Sequence, residues 1–352
     1  MEIILVAPAL VLIVITVLPL LRFNQWWIRI FDFPRGQIAV SGIVVVCLYL
    51  FFWNADRIYE SVVLGLLVLA VGYQVSRMVP YTVLMPKEVL NAESLAGEAH
   101  ISLLVANVLM DNRQSEAFLE VVRDYDPDMI LAVETDQWWE ESLRPLEAKY
   151  PHRVKNPLDN TYGMLLYSRL EIIDPEIRFI LKDNVPSMHM QVVLPSGDRV
   201  YMHFVHPDPP NPRYATETTA RDAELLIVGR EVNARDKPTI IAGDFNDVAW
   251  SRTTTLFQKT SGLLDPRVGR GMYNSFNATN PLMRWPLDHV FHSDHFKLVH
   301  MERGPAWGSD HFPVFIELSL EAGAAAEQEE PDTDLAEGQQ VDEKIEEGKE
   351  EA

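Results

Sequence analysis

Ile3 to Leu21 is an uninterrupted, uncharged run of 19 residues. That is about the length a helix needs to cross a bilayer core of roughly 30 Å. No other segment restricts the chain as strongly, because such a run is a membrane span, a secretory signal or the centre of a buried helical core. Ile38–Trp53 is a second apolar run and Val62–Val75 a third, shorter one. A signal sequence does not explain three runs, and the first has no basic leader. Residues 1–80 are therefore expected to be a membrane anchor of about three transmembrane helices in contact with membrane lipids, with the two chain ends on opposite sides. Arg22, Arg29 and Arg35 lie in the first loop with Trp26 and Trp27, the second loop (Asn54–Glu60) holds Asp56, Arg57 and Glu60, and Arg77 and Lys87 follow the third run. Positive residues favour the cytoplasmic side, which puts the first loop and everything after the third run inside.

Pro80, Pro86 and Gly97 mark residues 81–98 as a connector, and from His100 the pattern changes. Strands are expected at His100–Val108, Met129–Val133, Gly163–Tyr167, Glu171–Phe179, Met188–Leu194, Arg199–Val205, Thr239–Ala242, Leu287–Phe291, Phe296–Met301 and Pro313–Ser319. Helices are expected at Gln114–Tyr125, with Asn112 as a cap, near Gln137–Lys149, and at Thr216–Asn233. Pro195-Ser196-Gly197-Asp198 makes a hairpin turn. This mixture of hairpins and crossovers indicates an α/β sandwich with mixed sheets over residues 99–320.

Residues 321–352 hold 13 acidic residues and two lysines, a net of −11 out of the chain's −21, and almost no large apolar side chains. They are expected to be a disordered acidic tail. The remaining −10 is no general footprint for nucleic acid, although a local basic groove is compatible with it. The single cysteine, Cys47, lies in an apolar run, so neither a disulfide framework nor a thiolate zinc site is available.

The chemistry centres on Pro238-Thr239-Ile240-Ile241-Ala242-Gly243-Asp244-Phe245-Asn246, a β-branched strand ending in a carboxylate and an amide two residues apart. Strand geometry would put that pair on one face, where it suits a hard cation, a phosphoryl oxygen or a water. Asp-x-Asn after a strand is also ordinary turn chemistry. Its company matters more. Asn107 and Glu134 end two other strands, His206 follows a third, Asp288-His289 opens a strand, and Ser309-Asp310-His311 precedes the last. Each alone reads as a cap, an exposed acid or a loop residue. Together they form a set of carboxylates, amides and histidines at one sheet edge, as in magnesium-dependent phosphoryl sites.

This ordered series resembles the endonuclease/exonuclease/phosphatase superfamily over about residues 98–320. His206-Pro207-Asp208-Pro209-Pro210 and Gly308-Ser309-Asp310-His311-Phe312-Pro313-Val314, with the N-terminal runs, are similar to a membrane-anchored bacterial branch of it. The resemblance implies a four-layered α/β/β/α sandwich and hydrolysis of a phosphate ester or anhydride with a divalent ion, Mg2+ or Mn2+. It also implies a multi-pass protein of a bacterial inner membrane. Glu134 would be the main metal carboxylate, with Asn107 and Asp310. Asp244 and Asn246 would position the attacking water or the phosphoryl oxygen. His311, oriented by Asp288, would be general base or cation, with Asp244 equally a candidate for the base. His206 would act from the other side of the phosphorus as general acid or oxyanion stabiliser. Arg221, on the long helix, is a candidate phosphate contact, with a solvated helix face as the alternative.

Two departures bear on the substrate. Ser275-Phe276-Asn277-Ala278-Thr279-Asn280 stands where the membrane branch more often has a Thr-Trp-Pro type, and residues 206–212 lack the usual small hydroxyl residues. The reading that emerges is a membrane-tethered phosphohydrolase acting on a lipid-linked or small phosphorylated substrate. A nuclease is the alternative, disfavoured by the acidic body. An inactive membrane scaffold is the third, disfavoured because a scaffold has no need of Glu134, Asp244 and His311 together. Members of the branch that act on lipid phosphates outside the cell argue against the cytoplasmic placement.

Overall fold

A computed structural model describes residues 2–52, 58–93, 97–209 and 217–351. The expected positions Trp53, Asp56, Arg57, Pro210 and Thr216 lie outside the described residues. The N-terminal part comprises α1 (Glu2–Val17), the short α2 (Trp26–Arg29), α3 (Arg35–Phe51) and α4 (Ile58–Met78). Three full spans are not what this region shows. Among the described residues one helix, Ile58–Tyr81, is long and apolar enough to cross a bilayer; Trp26–Asp32 and Arg35–Phe51 pass that test only together, bent by 70°. Among the described residues the first apolar helix is Leu5–Leu21, ending in a 3-10 turn at Leu18–Leu21, and it is shorter than a span. The third run, the shortest in sequence, gains length because Tyr59, Glu60, Ser76 and Arg77 continue its helix beyond the apolar stretch.

Among the described residues eleven strands follow, in two sheets. β1 (His100–Asn107), β2 (Met129–Val133), β3 (His152–Asn156), β4 (Met164–Ser168), β10 (Phe296–Arg303) and β11 (Val314–Leu320) form the first, in the order β10-β11-β1-β2-β4-β3. β5 (Glu171–Arg178), β6 (Ser187–Val193), β7 (Arg199–Phe204), β8 (Thr239–Asp244) and β9 (Asp288–His292) form the second in sequence order. β1/β2 and β7/β8 are parallel and the other neighbours antiparallel, so both sheets are mixed.

Alternation along β1 explains the layering. Ile101, Leu103 and Val105 pack into the core between the sheets with Leu131, Met202, Ile240 and Ala242. Leu104 and Ala106 face the other way, beneath Phe118 and Trp139 of α5 (Ser115–Tyr125) and α6 (Gln137–Ser142). A strand buried on both faces reads as one apolar run, as β1 does. On the second sheet, Ile241 and Phe291 pack under Leu225, Val228 and Phe257 of α7 (Thr219–Asn233) and α8 (Arg252–Ser261). The result is the expected α/β/β/α sandwich.

Several expectations change. Gln114, not Asn112, caps α5; Asn112 Oδ1 accepts the Gln114 N–H in a turn just before it. The helix expected over Gln137–Lys149 breaks at Leu143, with Pro145 near the start of a following 3-10 turn. The acidic tail is ordered: α9 (Leu335–Glu351) buries Val341 and Ile345 with the α7 and α8 core. Two apolar side chains one turn apart, together with Lys344 bonded to the buried Asp222 at 2.7 Å, are enough to dock a helix whose overall composition is polar.

Candidate active site

Strand direction gathers the site. β1 and β2 run parallel, with Asn107 opposite Val133, so Asn107 and Glu134 leave the first sheet at the same edge. β11 is antiparallel to β1 and starts there, carrying Asp310 and His311 just before it. In the second sheet β7 and β8 are parallel, bringing His206 and Asp244 to that edge, and β9 starts antiparallel with Asp288 opposite Asp244. Gly243 has φ 147°, and a Cβ there would lie 1.9 Å from the Val205 carbonyl oxygen. Only glycine lets β8 and the His206 segment approach this closely.

Asn107 Nδ2 donates to Glu134 Oε1 at 2.7 Å and to Asp244 Oδ2 at 3.0 Å. Its Oδ1 accepts the Leu109 N–H at 2.9 Å. The amide therefore orients the two carboxylates with its nitrogen rather than offering an oxygen to a cation. Ser309 Oγ donates to the Asn107 carbonyl at 2.7 Å and accepts the His311 N–H, fixing the last loop on β1. His311 Nδ1 lies 2.7 Å from Asp288 Oδ2, and its Nε2 lies 3.7 Å from Asp244 Oδ2.

Burial disfavours a charged His311, but Asp288 and Asp244 outweigh it and push its pKa up to about 10. Burial beside Asp288 raises Asp244, with His311 opposing. His206 is buried, which lowers its pKa against the pull of Asp244; its Nδ1 has no partner, and its ring tilts on Tyr162 with centroids 5.7 Å apart. The site thus sets a cationic imidazole and a neutral one around a shared carboxylate.

Asp244 and Asn246 do not form one grip. Asp244 Oδ1 accepts the Asn246 N–H at 2.9 Å, and Asn246 takes a left-handed φ of 51°. The turn chemistry and the site role coexist: Asp244 faces His311, whereas Asn246 lines the cavity and donates through Nδ2 to the Pro207 carbonyl. Arg221 is neither a phosphate contact nor part of a solvated face. It is 2 % exposed and bonds Asp222, while Nη1 donates to the Asn246 carbonyl at 3.0 Å and Nη2 pairs with Asp247 at 3.2 Å. It supports the Asn246 turn from beneath. His289 is likewise internal, bonded to the Asp247 carbonyl and to Arg267.

A cavity of about 400 Å³ opens over this edge, lined by Glu134, His206, Asn246, Asp310 and His311. Sequence reasoning missed part of its wall: Tyr162, Trp285, Ile30 and Phe33 also line it. Phe276, in the segment that departs from the membrane branch, lines it too.

The donor set suits a hard divalent cation. Glu134 and Asp310 line the cavity, Glu134 accepting from Asn107 Nδ2 and from the Met110 N–H, and among the described residues neither has an ion pair with a lysine or arginine. Burial pushes Glu134 up to about 7 although Asn107 and His311 favour its charged form. A half-buried carboxylate that burial pushes towards its neutral form is stabilised as the anion by a bound cation. Asp244, Asp288 and His311 also lie close enough to share an ion. The direct His311–Asp288 hydrogen bond occupies those donors, so this trio reads as the proton-handling group.

The sequence signature of the Endonuclease/Exonuclease/phosphatase family matches residues 104–311, more than half of the chain. The chain belongs to that family. Members are metal-dependent hydrolases acting on phosphoester bonds, and the chain is an enzyme of this kind. Solved structures share the fold. Zebrafish (D. rerio) TDP2 complexed with a single-strand DNA product is 17 % identical with TM-score 0.53, the match covering 63 % of this chain and 99 % of that one. The human Nocturnin catalytic domain with bound sulfate is 16 % identical with TM-score 0.51, covering 69 % and 99 %. An endonuclease/exonuclease/phosphatase from Beutenbergia cavernae is 16 % identical with TM-score 0.52, covering 64 % and 72 %. No curated protein matches the chain.

Proposed function

We propose that this family member is a membrane-anchored, magnesium-dependent phosphohydrolase that cleaves a phosphate ester or anhydride of a lipid-linked or small phosphorylated substrate. The observation that carries the reading is the cavity itself: carboxylates and histidines converge on its floor, while no lysine or arginine lines it among the described residues. A nucleic-acid backbone is normally met by several such cations. The apolar outer faces of α3 and α4, with Val40, Ile43, Val44, Val62 and Leu69 exposed, support an anchor.

Glu134 and Asp310 would hold the metal, which when bound would supply neutralisation of phosphoryl charge. His311, kept cationic by Asp288, donates from Nε2 to a phosphoryl oxygen and stabilises the charge that spreads there during in-line displacement. Asp244, held by Asn107, accepts the proton of the attacking water. The water oxygen bonds to phosphorus as the bond to the leaving oxygen breaks, and His206 faces that leaving group from the Tyr162 side. Asn246 fixes the phosphoryl oxygens.

A magnesium-dependent nuclease is the second reading, favoured by the DNA product in the zebrafish structure. A panel of polyprenyl pyrophosphate, phosphoinositide, sphingomyelin and plasmid DNA, each with magnesium or EDTA, separates the two. Magnesium-dependent cleavage of DNA alone would overturn the first.

For orientation, the reading is a cytoplasmic catalytic part in a bacterial inner membrane. Arg22, Arg29, Arg35 and Arg77 support it by the positive-inside tendency. C-terminal fusions test it. Alkaline phosphatase activity without fluorescence from a matching green-fluorescent fusion would place the site outside.

A further inference from the structure

Two side chains of the catalytic cavity come from the anchor and not from the sandwich. Ile30 and Phe33 lie in the bend between α2 and α3, and they line the cavity beside Phe276, Trp285 and Leu287. A ladder of rings runs from the catalytic histidine to this bend. His311 and Phe276 have centroids 5.0 Å apart, Phe276 and Trp285 are stacked at 6.0 Å, and Trp285 meets Phe33 edge-on at 5.7 Å.

The bend is held firmly. Trp250 Nε1 donates to the Asp32 carbonyl at 2.8 Å, Arg29 Nη2 donates to Thr253 Oγ1 at 3.2 Å, and Arg35 pairs with Asp32. The wall is therefore a fixed part of the site. It is also apolar surface left uncovered: Ile30 is 38 % exposed, and the nearby loop presents Leu282 at 79 % and Met283 at 49 %. That loop touches the anchor, since Gln37 of α3 donates to the Leu282 carbonyl at 2.8 Å. Clustered apolar surface of this kind marks a binding site.

Its occupant follows from continuity. Phe33 precedes the start of α3 by two residues, and α3 exposes Val40, Ile43 and Val44. The wall thus leads from the phosphoryl floor towards the face that would meet hydrocarbon. We propose that Ile30 and Phe33 are specificity-determining residues that seat the hydrocarbon group of an amphiphilic phosphoester, making the anchor part of the active site. This rests on the phosphohydrolase reading above and narrows its substrate class to amphiphiles.

The test uses the full chain in lipid nanodiscs with magnesium. Substrates are p-nitrophenyl phosphodiesters carrying a methyl, butyl or octyl group, each below its critical micelle concentration, alongside alkyl phosphate monoesters of the same lengths. Burying methylenes favours the longer chains, so the wild type is expected to show kcat/KM at least about tenfold higher for octyl than for methyl, mostly through KM. Ile30→Ser, at a partly exposed position, is expected to cut that octyl-to-methyl ratio about fivefold or more, and Phe33→Ser to cut it further. Comparing ratios in the same membrane cancels partitioning of the ester into lipid. Turnover without chain-length preference, or a ratio unmoved by Ile30→Ser, overturns this inference and leaves the hydrolase reading standing. Absence of magnesium-dependent turnover of every ester overturns both.

Discussion

His311 Nδ1 lies 2.7 Å from Asp288 Oδ2, and that bond fixes which edge of the imidazole faces the cavity. Nε2 is left towards Asp244, where the ring can donate only while it is charged or holds the corresponding tautomer. The pair decides how the site handles protons.

Asp288→Asn removes the anion that holds His311 up to about 10. The raised value means the cation persists through neutral pH and is lost as pH climbs through the folded pKa. Without Asp288 that loss comes at lower pH. The basic limb of the pH–rate profile is expected to shift towards acid, with kcat reduced about 10²–10⁴-fold near pH 8. A profile superimposable on the wild type would remove the His311 charge from the mechanism.

Glu134 is pushed up to about 7 by burial, so without a cation it is partly protonated at neutral pH. Metal binding must then release a proton, and affinity should weaken up to about tenfold for each pH unit below 7. Calorimetric titration of Mn2+ between pH 5.5 and 8 reads this directly, and Glu134→Gln should abolish the pH dependence together with most of the binding. Activity should vanish with EDTA and return with magnesium or manganese. Affinity that does not vary with pH would mean Glu134 is not the ligand.

Arg221 sits between Asp222 and Asp247, with side chains almost wholly buried. Removing one member of such a cluster leaves carboxylates without compensation, at a cost of about 3–5 kcal/mol. Arg221→Ala is therefore expected to lower the thermal midpoint clearly, in the presence or absence of substrate. A rise in KM with no change in stability would instead restore Arg221 as a phosphate contact.

Much of this was legible in the chain because strand ends are punctuated. Asn107, Glu134, Asp244 and Asp288 each close or open an apolar run, so both their identity and their common edge follow from period-2 patterning and chain order. β3 and α8 were not legible. His152–Asn156 is an edge strand with one buried apolar residue, Val154, and Arg252–Ser261 carries three threonines in its first turn, behind a Ser251 cap that accepts the Thr254 N–H. The burial of Arg221 was not legible because, beyond the adjacent Asp222, its partners Asn246 and Asp247 lie far along the chain. Ile30 and Phe33 carried no functional signal either, since only the packing of the N-terminal helices on the sandwich brings them to the cavity of His311.

The tail gives the last prediction, because its packing reverses what its composition suggests. Val341 and Ile345 are buried, and Lys344 Nζ reaches Asp222 Oδ2 at 2.7 Å and Asn24 Oδ1 at 3.1 Å, tying α9 to both α7 and the loop before α2. Each apolar side chain stabilises by about 1.5–3 kcal/mol when fully buried. Truncation after Leu320 should thus lower the thermal midpoint by on the order of 5–15 °C. The loss should also depend on pH. Burial works against the Asp222 charge, but Lys344, Arg221 and Arg29 hold it well below the usual carboxylate range. Its contribution is present above the unfolded pKa of about 3.9 and is lost as pH falls towards the folded one. Without Lys344 the folded pKa rises, so on acidification the truncated protein is expected to give up the last of that contribution at a higher pH than the wild type. Ile345→Ala separates packing from charge, lowering the midpoint without moving the pH at which the protein loses stability on the acid side. A truncated protein that melts with the wild type at pH 6 would show that α9 does not dock.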